Sequence, residues 1–153
     1  TRFAGEETDP KMIRYYNENT KFDTFIDDVI NSLFPEGAPH DALIEFDYVK
    51  ELAGNTAGLC DGDTKHVEIT LSENYSFECG DTAPYCDQEL ASNIAHELVH
   101  ASQFIRGMMN NENYLWNGID YQDCAYADQP WEIEAYSMEK VLVDVFWKQE
   151  EVA

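Results

Sequence analysis

The residue types able to do chemistry are concentrated in one pentapeptide, His96-Glu97-Leu98-Val99-His100. Two histidines four apart on a helix sit one turn apart on the same face, so both imidazoles can grip a single metal ion. Glu97 follows the first histidine and is rotated about 100° around the axis. That rotation lets its carboxylate reach a water beside the ion rather than the ion itself, while Leu98 turns toward the core. The chemistry this pattern supports is metal-assisted hydrolysis with a carboxylate as general base.

A catalytic zinc takes three protein ligands and leaves one position open. The third ligand must come from outside the pentapeptide. No histidine follows His100, position 106 is Arg106, and the other two histidines, His40 and His66, lie upstream. The candidates left downstream are the carboxylates of Pro130-Trp131-Glu132-Ile133-Glu134-Ala135-Tyr136. On a helical wheel Glu134 shares the most apolar stripe with Met138, Val141 and Val145. A buried carboxylate there needs a partner, which a metal would supply. Glu132 lies between that stripe and a second one formed by Tyr136, Val143 and Trp147. The wheel admits both residues. Gln103, three after His100, shares the metal-facing side of its helix and is placed either to hydrogen-bond a ligand or to bridge two helices.

With His96, Glu97 and His100 followed by Glu132 and Ala135, residues 65–146 resemble the gluzincin branch of the HExxH zinc metallopeptidases. The resemblance implies an α+β, zincin-like domain with a small β-sheet, an HExxH active-site helix and a C-terminal glutamate helix. It implies one Zn2+ per chain on His96, His100 and Glu132, with a small residue three after the glutamate so that the helices approach closely. Glu134 is the competing third ligand. It also implies a metalloendopeptidase-like hydrolase acting on a peptide or protein, with Glu97 as general base. A tyrosine for the oxyanion is expected among Tyr114, Tyr121 and Tyr126. The sheet strand beside the cleft would be His66–Leu71, an edge able to pair with an extended peptide. That branch often has an acidic residue four after the ligand to hold a zinc-bound histidine. Here that position is Tyr136, a departure from the pattern.

The positioning elements follow from periodicity. Asp9-Pro10 reads as a helix start. Phe22, Phe25, Ile26, Val29, Ile30 and Leu33 form one apolar stripe over 20–34. Ala42–Lys50 and His66–Leu71 alternate as strands and suggest a hairpin with a long connection across a turn-rich 53–65. Residues 72–87 read as irregular. A helix from about Asp87 to Arg106 puts Leu90, Ile94, Leu98, Ala101 and Ile105 on one face, with Gly107 at its C-terminus. Residues 108–129 read as a loop across the cleft, and a last helix runs from Pro130 to about Gln149.

The chain has 153 residues, room for one domain over 1–153 but not for two cores. Its 31 acidic and 9 basic residues give a formal net charge of −22. That excludes a general nucleic-acid binder and argues against docking on anionic membranes. Neither a signal peptide nor a transmembrane segment is expected. Nucleic-acid mimicry and a merely solvated surface fit the acidity; salt adaptation fits less cleanly, because Lys outnumbers Arg and Ile and Asn are plentiful. The rival function is therefore an acidic interaction protein on a zincin scaffold, binding a basic protein with its zinc structural. The four cysteines, Cys60, Cys79, Cys86 and Cys124, contain no C-x-x-C pair. Cys79 and Cys86 are close enough to form a small disulfide, or all four stay free.

Overall fold

The structure is a computed structural model that describes residues 11–53, 56–76, 82–110, 115–121 and 123–147. It is a mixed α+β fold. A four-stranded sheet is made by β1 (Ile13–Tyr16), β2 (Ala42–Val49), β3 (Gly58–Gly62) and β4 (His66–Ser72), in the order β1-β2-β4-β3. Three helices accompany it: α1 (Asp23–Leu33), α2 (Asp87–Ile105) and α3 (Pro130–Leu142). Short strands complete the fold: the β5 (Asn74–Ser76) and β6 (Thr82–Pro84) pair, and a ribbon of β7 (Met109–Asn110), β8 (Leu115–Trp116) and β9 (Ile119–Asp120). Among the described residues no helix is long and apolar enough to cross a membrane.

The alternating strands bury one face. Ala42, Ile44 and Phe46 of β2 and Val67, Ile69 and Leu71 of β4 are all in the core. The expected stripe of α1 is there too, with Phe25, Ile26 and Val29 fully buried and Phe22 in a preceding 3-10 turn, Thr20–Phe22. All five predicted core positions of α2 are buried. The first turn of α2 is held by the Cys86 backbone N–H, which donates to the Glu89 carboxylate at 2.9 Å. Gly107 follows the helix at φ +76°, a left-handed value that favours glycine. Arg106 donates to the Leu33 carbonyl and lies 4.8 Å from the centre of the Phe34 ring, tying the end of α2 to α1.

Several expectations are corrected, among them an irregular 72–87 and a loop over 108–129, where the short strands β5 to β9 stand. Asp9 and Pro10 lie outside the described residues, and the chain after them is the strand β1, not a helix, its Ile-Arg-Tyr-Tyr alternating half-buried and exposed. β2 and β4 are not a hairpin: they pair in parallel, Ile44 opposite Val67 and Phe46 opposite Ile69. The antiparallel partner of β4 is β3, inside the stretch expected to be only turns. Its glycine- and aspartate-rich sequence hides a strand that packs beside α2. The strand of His66–Leu71 is consequently interior, and the sheet edge beside the cleft is β3.

The last correction concerns the final helix, which is α-helical only to Leu142 and continues as a π-helix over Val143–Trp147. The extra residue in that turn rotates Trp147 into the core against Phe22. Val141 and Val145, expected on the most apolar stripe, are instead 60% and 44% exposed. Cys60, Cys86 and Cys124 carry free thiols, and Cys79 lies outside the described residues.

Candidate metal centre

The floor of the site is α2 and one wall is α3, which pack directly against each other. The small residue Ala135 is fully buried on α3. Pro130 opens α3 at its first turn, so Glu132 projects from the helix start. Its Oε1 lies 3.1 Å from His96 Nε2 and 3.2 Å from His100 Nε2. These three side chains form a group whose ligand atoms all lie within 4.8 Å of one another.

The other nitrogen of each imidazole is fixed. His96 Nδ1–H donates to Glu139 Oε1 at 2.8 Å, and Ser92 Oγ donates to Glu139 Oε2 at 2.6 Å. His100 Nδ1–H donates to Gln103 Oε1 at 2.8 Å. With both Nδ1 atoms protonated, a neutral imidazole presents a bare Nε2 lone pair. Two such lone pairs facing one carboxylate oxygen need a cation between them, either protons or a metal. In the metal-free chain that cation is the proton. Burial pushes the His96 imidazole down, but the Glu132 and Glu139 carboxylates outweigh it and carry the pKa up from 6.5 to about 9. His100 is raised for the same reason, chiefly by Glu132 against its burial. Burial pushes Glu132 up, but the two imidazoles win and bring it from 4.5 to about 2.

A metal fits the same geometry. Two donors on a tetrahedral ion with bonds of about 2.0–2.1 Å sit about 3.3 Å apart. The observed 3.1 and 3.2 Å are close to that edge. The acceptors on both Nδ1–H groups also match the pattern of metal-binding imidazoles, whose second nitrogen is tied to a carboxylate or amide oxygen.

Glu97 is 6% exposed. Burial raises its pKa, while the two histidines oppose that shift. Its carboxylate lies against Gly58 of β3, where an added Cβ would be only 3.0 Å from Oε2. β3, α2 and α3 border a cleft of about 670 Å³. It is lined by Gly58, Leu59 and Cys60 of β3, by His96, Glu97 and His100, and by Met109, Tyr126, Trp131, Glu132, Tyr136 and Glu139.

Sequence-derived candidates divide clearly. His96, Glu97, His100 and Glu132 come together around the cleft. Glu134 does not: it accepts a hydrogen bond from Gln103 Nε2 at 3.0 Å. Gln103, fully buried, fills both of its expected roles, holding His100 on one side and donating to Trp131 O and Glu134 on the other. His40 reaches the Thr64 carbonyl, and His66 pairs with Glu45 on the sheet, so neither joins the cluster. Of the tyrosines, Tyr114 lies outside the described residues and Tyr121 packs edge-on against Trp131. Tyr126 lines the cleft, with its hydroxyl 3.2 Å from that of Tyr136. The Tyr136 ring packs against His96 at 4.5 Å.

Sequence reasoning missed Glu139. It had looked four residues beyond Glu132, where Tyr136 stands. Glu139 is seven beyond, two helical turns on the same face, and that spacing was the available signal. Gly58 was missed because its contact with Glu97 exists only once β3 is laid against α2. A scan of the chain against family models finds no match, and none of the curated proteins matches it.

Proposed function

We propose that the chain is a zinc-dependent peptidase with a zincin-like fold, the ion held by His96, His100 and Glu132. The observation that carries this reading is the convergence of two imidazole Nε2 atoms on Glu132 Oε1, at 3.1 and 3.2 Å, beside the buried carboxylate of Glu97 in an open cleft. Two histidines and one glutamate are a donor set suited to catalytic zinc.

When bound, zinc supplies a Lewis acid that makes water acidic near neutral pH and polarises a carbonyl. The protein supplies the rest. Glu97 accepts the proton of the attacking water and returns it to the leaving amine. Its burial favours the neutral carboxyl, which suits a group that must carry a proton for part of the cycle. Glu139 and Gln103 hold both imidazoles in the tautomer that turns Nε2 inward. Gly58 leaves room for the Glu97 carboxylate. Tyr126 and Tyr136 place hydroxyls at the cleft, where a developing oxyanion needs a donor.

The competing reading, an acidic interaction protein with a structural zinc, draws on the net charge of −22. A structural zinc is closed by four protein ligands, whereas three donors facing a cleft leave a position open. The test is Glu97→Gln. Loss of peptide hydrolysis with zinc content unchanged supports the peptidase. A zinc-loaded wild type that cleaves no member of a broad peptide library sinks it.

A further inference from the structure

Charge is distributed unevenly around the cleft. Glu97, Glu132 and Glu139 line it, and among the described residues no Lys or Arg does. The same bias holds along the sequence that contains these residues: 51–139 has 17 Asp and Glu against Lys65 and Arg106 alone. Arg106 is committed to the Leu33 carbonyl and the Phe34 ring. From 107 to 139, which includes one wall and the segment bearing Tyr126, there is no Lys, Arg or His. With Glu97 ionised, as a general base must be before it takes a proton, the three carboxylates exceed the charge of a divalent ion between neutral imidazoles by one. A cleft lined by one sign of charge focuses its field on the approaching substrate. Tyr126 and Tyr136, each more than half exposed, add aromatic faces that attract cations at the same place.

We infer that the substrate is a cationic peptide, with Lys or Arg side chains flanking the scissile bond. This inference rests on the peptidase reading. An ammonium or guanidinium entering the cleft meets carboxylates and tyrosine faces and, among the described residues, no Lys or Arg. An acidic segment meets like-charged side chains there.

The experiment uses zinc-loaded full chain and three fluorogenic peptides of common sequence, carrying Lys/Arg, Gln or Asp/Glu at the two positions on each side of the cleaved bond. At low salt kcat/KM for the cationic peptide is expected to exceed that for the acidic one by at least about tenfold, with Gln between. Raising NaCl from about 20 to about 500 mM narrows the gap, because a shorter screening length weakens the field. Gln or acidic peptides cleaved as fast as the cationic one overturn the inference and leave the peptidase reading standing. Cleavage of none of the three removes both.

Discussion

Replacing Gln103 by Leu removes a side chain that makes three hydrogen bonds while nearly preserving its volume, so no cavity contributes. Gln103 is fully buried, accepts from His100 Nδ1–H, and donates to Trp131 O and Glu134 Oε1. In Gln103→Leu the buried His100 keeps an unpaired Nδ1–H away from water, while the Trp131 carbonyl, inside α3, retains its helical hydrogen bond. That unpaired group costs about 1–3 kcal/mol. Glu134 is only half-buried and recovers water. The metal-free variant should therefore lose about 1–3 kcal/mol, or roughly 2–12 °C in Tm for a domain of this size. Zinc affinity should also fall by about 10–100-fold, because His100 loses the acceptor that sets its tautomer. Gln103→Glu separates the two effects. A carboxylate still accepts from His100 but donates to neither partner, so stability falls while zinc affinity is kept. Urea unfolding of the metal-free protein and competition titration with a chromophoric zinc chelator read both quantities. Zinc affinity of Gln103→Leu within about twofold of wild type would refute the role given to this amide.

Gly58→Ala brings a Cβ to 3.0 Å from Glu97 Oε2 and 3.1 Å from its Cγ, so the carboxylate must shift by a few tenths of an ångström. On the proposed peptidase reading zinc content should hold while kcat falls about tenfold, because a displaced Glu97 is a poorer general base; unchanged kcat contradicts the role given to the Glu97 position. The metal-free protein also has a defined pH response. The raised pKa of His96, about 9, gives a stabilisation complete below 6.5 and lost as pH rises through about 9. The lowered pKa of Glu132, about 2, gives one present above 4.5 and lost as pH falls through about 2. Chelated wild type should be more stable in urea at pH 6 than at pH 9, and His96→Asn should narrow that difference, the raised His100 carrying the remainder. Because zinc must displace these protons, its stabilising increment should grow over the same rise in pH; an increment that shrinks contradicts the ligand assignment.

The site was more legible in sequence than the sheet. His96, Glu97 and His100 lie within one helix, where residue spacing fixes relative position, and the buried face of α2 follows from the same periodicity. Glu132 and Glu134 could not be separated on a wheel. The π-helical turn at Val143–Trp147 rotates the end of the last helix, so the stripe through Val141 and Val145 was not the packed one. Strand pairing is non-local. Alternation in Ala42–Val49 and His66–Ser72 marked both strands, yet nothing in their sequences chose parallel over antiparallel. β3 was hidden because Gly58 and Gly62 look like turn residues, whereas Gly58 is small to make room for Glu97. Glu139 was overlooked through attention to one offset, although its spacing from Glu132 was readable.

The most direct test of the metal site is zinc content by elemental analysis, after equilibration with zinc at neutral pH and removal of the excess. Wild type, Glu132→Ala and Glu134→Ala are compared. The arrangement of His96, His100 and Glu132 predicts about one zinc per chain in wild type and in Glu134→Ala, with zinc lost from Glu132→Ala. No zinc in wild type, or a full equivalent retained by Glu132→Ala, would contradict it.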